Sequence, residues 1–172
     1  MTVLLFTGCK PDFTAEVRAV DSLLGVVGQV ENDAEEIDAR LIRQYIKDVS
    51  GKCTKIQAEL KDTVELEDAQ KLVDFCLLEA HLKTCLERKE MIDAEVVETR
   101  NQLYNLRTDL IEKVAEKDSV NRFIESEFQY VESLDEGVER VVAELNGCFE
   151  TYTELKSDID RLLIALPAKA AE

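Results

Sequence analysis

Five cysteines and a lone histidine are the side chains of this 172-residue sequence best suited to chemistry: Cys9, Cys53, Cys76, Cys85, Cys148 and His81. Their spacing excludes the common uses. No Cys-x-x-Cys pair exists for zinc or dithiol exchange. One imidazole cannot supply the paired Glu-x-x-His ligands of helical di-iron bundles. Glu79-Ala80-His81 has the wrong spacing even for one such motif, because residues two apart on a helix point about 200° away from each other. His81 therefore reads as a partly exposed surface residue. No Gly-x-Ser-x-Gly, no Gly-rich phosphate loop and no Gly-x-x-x-x-Gly-Lys segment occurs. Carboxylate pairs such as Glu35-Glu36 or Asp158/Asp160 follow from the 37 acidic residues, and nothing singles one out as a general acid. The aromatic residues Phe123, Phe128, Tyr130, Phe149 and Tyr152 read as core and flank packing. The expectation is a non-enzymatic chain with no catalytic, metal-binding or cofactor-binding residue.

Cys9 stands apart from the other thiols. Met1 to Cys9 is an apolar run ending in small residues and a cysteine, and Lys10-Pro11-Asp12 then turns polar at once. The segment resembles the end of a bacterial lipoprotein signal peptide, which is cut after a small residue so that the cysteine carries lipid. Thr7, Gly8 and Cys9 match that lipobox, and Leu4 and Leu5 would belong to the apolar core. Phe6 stands where Leu is usual, and the core is short with no Lys or Arg ahead of it. A start codon farther upstream would account for both departures. The competing reading is an ordinary N-terminus whose Cys9 packs against the helices.

The elements that must position the remaining residues are helices. From Ile124 to Leu166 apolar residues recur at 3–4 spacing through Val131, Leu134, Val138, Val141, Leu145, Cys148, Tyr152, Leu155, Ile159 and Leu162, interrupted only by Glu127. Such a stripe belongs to a long helix lying along another. A similar stripe runs through Phe75, Leu78, Leu82, Cys85, Lys89, Ile92, Val96, Thr99, Leu103, Leu106 and Leu110. Asp12 offers an N-cap for a first helix with Phe13, Val17, Val20, Leu24, Val27 and Val30 inward. Asn32-Asp33 followed by Glu36 resembles a capping box and predicts a kink near 32. A second helix carries Ile37, Leu41, Tyr45, Val49, Cys53, Ile56 and Leu60 inward and bridges Ser50-Gly51. Polar junctions fall at Asp62-Thr63 and at Lys117-Asp118-Ser119, where Asp118 or Ser119 can cap the last helix. Pro167 ends it.

A straight helix from about 66 to 166 in a parallel dimer would set Lys89, Lys113, Lys117 and Glu127 against their own copies, which is penalised in a seam. Folding back near 117 instead brings residues whose numbers total roughly 233–234 level. Lys89 then faces Glu144, Glu127 faces Arg107, and Leu82 meets Tyr152. The two long helices would each span about 70 Å, as would the first two together. The fold expected is all-α: an elongated antiparallel bundle of three rods, or coiled-coil hairpins, with the first rod kinked near residue 32. Residues 1–12 form the truncated signal-like segment, 13–166 a single bundle domain, and 167–172 a loose tail. In this register Cys85 faces Cys148, and Cys53 faces Cys76 across a turn near 64. Two disulfides are one reading, suited to an oxidising periplasm; four reduced core thiols are the other.

The net charge of −16 repels a phosphate backbone, and the charges are interleaved, as in Glu87-Arg88-Lys89-Glu90, so no basic stripe is hidden. Nucleic acid is not an expected partner. With two prolines, six glycines and no tryptophan, the composition is coiled-coil-like, and 45% apolar residues suffice for a packed core. No stretch approaches the roughly 20 apolar residues that span a bilayer.

With the lipobox-like start, the segments Val20-Asp21-Ser22-Leu23-Leu24, Gln102-Leu103-Tyr104-Asn105-Leu106-Arg107-Thr108-Asp109-Leu110 and Phe123 to Glu127 give the chain its family likeness. It resembles small helical lipoproteins of Gram-negative gut-type bacteria described as "viral A-type inclusion protein-like". The resemblance implies a helical fold and an envelope location, and carries over no catalytic residue. The expected function is a lipid-anchored scaffold, spacer or binding module of the cell envelope. Its partners would be the membrane, through lipid on Cys9, and an unidentified envelope protein, with self-association left open. The alternative is a cytoplasmic coiled-coil adaptor or oligomerisation protein.

Overall fold

The computed structural model describes residues 12–59 and 65–165. They form four helices: α1 (Thr14–Glu35), α2 (Ala39–Glu59), α3 (Leu66–Glu112) and α4 (Lys117–Ala165). No strand occurs among the described residues, and the fold is an all-α bundle. Cys9, Leu60, the Asp62-Thr63 junction, Leu166 and Pro167 lie outside the described residues.

Packing groups the chain into two compact units. In the first, which ends at Ala34 and resumes over Ile92–Gly137, α1 packs with the second part of α3 and the first part of α4. Its core is Phe13, Val20, Leu23, Val27, Val30 and Ala34 of α1 and its flank, with Val96, Leu103, Leu110, Val120, Val131 and Leu134. Arg100 Nη1 reaches Glu31 Oε2 at 2.5 Å and Arg107 Nε reaches Asp21 Oδ1 at 2.6 Å, so α1 and α3 run antiparallel. In the second unit, Glu35–Met91 with Val138 onward, α2 packs with the first part of α3 and the second part of α4. Ile42, Val49, Cys53, Ile56, Phe75, Leu78, Leu82, Val141, Leu145 and Ile159 form its core.

Most positions of the α3 and α4 stripes are buried, including the polar Lys89, Thr99 and Glu127, whereas Leu106, Ile124, Tyr152, Leu155 and Leu162 are half-buried. The ends of the elements are where structure and expectation part. α1 does not kink near 32. Asp33 stays helical, accepting from Gln29 Nε2 at 2.8 Å, and the break falls at residues 36–38. The cap there is Asp38, whose Oδ1 accepts from the backbone N–H groups of Arg40 (2.9 Å) and Leu41 (3.0 Å). These bonds hold its carboxyl below the usual range, the Leu41 bond most strongly. Leu41, expected inward, is 40% exposed, and Ile42 takes its place in the core, while Ile37, Val49, Cys53 and Ile56 are buried as expected. Asp12 caps α1, its Oδ1 accepting from Thr14 N–H at 3.1 Å.

The fold-back lies at 113–116, ahead of the expected Lys117. α3 ends in two staggered bonds, Lys113 N–H to Leu110 O (3.2 Å) and Val114 N–H to Asp109 O (3.0 Å), with Lys113 at φ 59°. This is a Schellman end whose left-handed position is usually glycine. Ser119 does not cap α4; its hydroxyl donates back to Glu116 O at 2.9 Å. The side chain of Asp118 lies outside the described atoms. Since a β-carbon in the left-handed region costs about 1–2 kcal/mol, Lys113→Gly should stabilise the fold by about 0.5–1 kcal/mol after the unfolded chain's added freedom is offset. Lys113→Val should destabilise it, and urea unfolding of both variants checks the sign.

An earlier fold-back changes the register. In the first unit Ile92 lies beside Gly137, and in the second Cys85 lies beside Glu144 and Lys71 pairs with Asp158, each pair totalling 229. Glu144 is held by Arg88 at 2.6 Å, and Arg107 turns to Asp21, away from the expected Glu127.

Candidate functional site

The second unit holds most of the polar chemistry. Cys53 and Cys76 are joined, with S–S 2.02 Å and Cα atoms 5.9 Å apart, tying α2 to α3. Beside them, the aromatic rings of three helices meet. Tyr45 lies 4.7 Å from Phe149 and 4.6 Å, edge-on, from Tyr152, and Phe75 lies 5.7 Å from Tyr152. The Tyr152 hydroxyl donates to Asp48 Oδ2 at 2.6 Å. Burial, then the adjacent Asp48 carboxylate, pushes that phenol's pKa up. Lys52 Nζ sits between Asp48 (3.0 Å) and Asp160 (2.8 Å) and close to the Phe75 and Tyr152 rings. Burial works against its charge, but the two carboxylates outweigh it and raise its pKa.

This network fastens rather than reacts. Asp158 is bound by Lys71 and Arg161, and Asp160 by Lys156 and Lys52; hydrogen bonds from these cations hold both carboxyls below the usual range. Neither can deliver a proton near neutrality. A cleft of about 440 Å³ beside the network is flanked by Lys47, Lys52 and Lys55 over Gly51, but Lys52 is already committed to its two carboxylates.

A second cleft, of about 480 Å³, is the candidate site. It lies between α3 and α4 and is lined by His81, Cys85 and Arg88 on one side and Glu144, Gly147 and Cys148 on the other. Of the two readings for Cys85 and Cys148, the structure holds the reduced one: both are free thiols, 1% and 7% exposed. The register explains the missing bridge: with level residues totalling 229, a pair totalling 233 is offset by about four residues, roughly 6 Å along the axis. Cys85 Sγ–H is directed at Glu144 Oε2 (3.7 Å), and Arg88 Nη1 holds that carboxylate at 2.6 Å. Burial, with the neighbouring Cys148 and Glu144, pushes the Cys85 thiol's pKa up to about 11, and burial raises that of Cys148 as well. Both are protonated at neutral pH and poor nucleophiles. His81 is exposed on the cleft wall. No cluster of three or more His, Cys, Asp or Glu side chains arranged to hold a metal occurs among the described residues.

The expected aromatic cluster is divided between the units: Phe123, Phe128 and Tyr130 belong to the first and are largely exposed, whereas Phe149 and Tyr152 join Tyr45 in the second. The first unit also carries Val97, Tyr104 and Ile111, seven residues apart on α3 and each about half exposed. That outer stripe was legible as a heptad-spaced set but is masked in the sequence by the stronger inner stripe. Glu127 is buried in this unit with Oε2 lacking any hydrogen-bond partner, and burial raises its pKa. Among the described residues no helix is long and apolar enough to cross a membrane. Comparison with protein-family models, curated proteins and solved structures finds no match to the chain.

Proposed function

We propose that this chain is a lipid-anchored helical scaffold or binding module of the cell envelope, without catalytic activity, in keeping with its resemblance to small helical lipoproteins. The observation that carries the compartment is the Cys53–Cys76 bridge, because disulfides persist in oxidising compartments and are rare in the cytosol. Cys9 is the anchor, and a mature lipoprotein's several acyl chains hold far more firmly than one. The half-exposed Val97, Tyr104 and Ile111 give the module a face for an amphipathic helix of an envelope partner. The second reading, a cytoplasmic coiled-coil adaptor, draws on the free thiols of Cys85 and Cys148.

Metabolic labelling with a palmitate analogue separates the two. The wild-type protein, expressed from its native upstream sequence in a Gram-negative host, should take up label and partition with membranes. Cys9→Ala should do neither. Unlabelled wild-type protein ends the anchoring proposal.

A further inference from the structure

Helix α3 carries a second heptad stripe on the side turned away from the core. Ala94, Val97, Asn101, Tyr104, Thr108 and Ile111 follow one another in alternating steps of three and four, and all are exposed. Charged residues make up 34% of the chain, yet none falls on this stripe. Val97, Tyr104 and Ile111 take its d positions, and Asn101 takes the middle a position. The stripe lies roughly a quarter turn from Arg100 and Arg107, which face α1, so a further helix has room beside it.

We infer that a second copy of the chain covers this face, α3 lying parallel to α3 about a two-fold axis. The inference rests on reading the face as a binding surface, and it names the occupant. Flanking charges choose the copy and its direction. Arg100 and Arg107 occupy g positions, whereas Glu98, Asn105 and Glu112 occupy e positions. In a parallel pair each g faces the e five residues on, so Arg107 meets Glu112 and Arg100 meets Asn105. An antiparallel pair would set arginine against arginine and glutamate against glutamate. Arg107 engages Asp21 through Nε, and its fork has further N–H groups to donate. Asp93 against Glu98 is the one like-charged pair, at the end of the seam. Asn101 meets Asn101 of the second copy, one amide donating and the other accepting, a polar a-position pair of the kind that fixes register. Asp12, at the start of α1, lies in the field of Lys113 and Lys117 beyond the end of α3. A parallel pair therefore brings the starts of both α1 helices to one end, as two anchors in one membrane require. The net charge of −16 opposes association, but it is screened beyond about 8 Å at physiological ionic strength. A seam of about 26 Å is a small interface, so the pair is weak and reversible.

Sedimentation equilibrium of the full chain carrying Cys9→Ser should show monomer passing to dimer in the micromolar range. Tyr104→Glu sets a charge against its own copy and should weaken association more than about 30-fold, as for loss of a buried aromatic anchor. Val73→Glu replaces a side chain equally exposed but off the stripe, and should leave association unchanged. Asn101→Cys and Thr108→Cys, each added alone, should both give a dimer on a non-reducing gel. An antiparallel pair brings only one such layer onto itself, because the two lie about 10 Å apart along the helix. A chain still monomeric at millimolar concentration, a dimer indifferent to Tyr104→Glu, or cross-linking at one position only overturns the pairing. If the parent chain still takes up palmitate label, the anchored module survives that outcome and only its occupant falls.

Discussion

Reduction of the Cys53–Cys76 bridge should lower the stability of the second unit by about 3 kcal/mol, the chain-entropy value for a loop of this size. The two cysteines are 23 residues apart in sequence. Closing that loop removes conformations from the unfolded chain while the folded α2 and α3 remain packed through Ile56, Phe75 and Leu78. In a domain of this size the midpoint should fall by about 10 °C. Thermal unfolding with and without dithiothreitol, in a Cys85→Ala/Cys148→Ala background so that no other internal thiol responds, reads the effect. Cys53→Ala/Cys76→Ala should match the reduced protein. A midpoint unmoved by reductant would mean that the bridge contributes nothing to the fold.

Replacing Glu127 by leucine should stabilise the first unit by about 1–3 kcal/mol at pH 7, the cost of leaving a buried polar group unsatisfied. The side chain is 8% exposed in the seam of α4, with Oε2 unpartnered. Leucine restores the heptad stripe that this one residue interrupts. The sign with pH follows from the raised carboxyl pKa. Between the ordinary value of 4.5 and the higher folded value, the folded chain keeps a proton that the unfolded chain has released. Wild-type stability therefore falls as pH rises through that interval, and the penalty is complete above the folded pKa. The advantage of Glu127→Leu should be largest at neutral pH and shrink toward pH 4. Urea unfolding at several pH values checks it; an advantage that does not change with pH would assign the cost to packing instead.

Burial along α3 and α4 was legible because a period near 3.5 is the direct imprint of one buried helical face. Val131, Leu134, Val138 and Val141 could hardly occupy those positions for another reason. The helix ends were less legible because neither carries glycine or proline. Lys113 adopts the left-handed conformation that glycine would advertise, and Asp38 caps α2 within a run of acids where no one residue stands out. One misplaced end then propagates. Moving the fold-back by a few residues shifts the cross-helix register, so Cys85 and Cys148 stay unbridged and Arg107 pairs with Asp21 instead of Glu127. Cys53 and Cys76 meet through a different hairpin, so the same shift leaves them untouched. Tyr45, Asp48, Lys52 and Tyr152 were missed as a group because Tyr152 joins the three α2 residues from α4, across more than ninety residues of sequence.

A protease that nicks the chain anywhere between residues 53 and 76 would sever the polypeptide without releasing either piece. The sulfur link would carry both fragments as one particle through gel filtration and through a denaturing gel run without thiol. Only added reductant would reveal that the molecule had been cut.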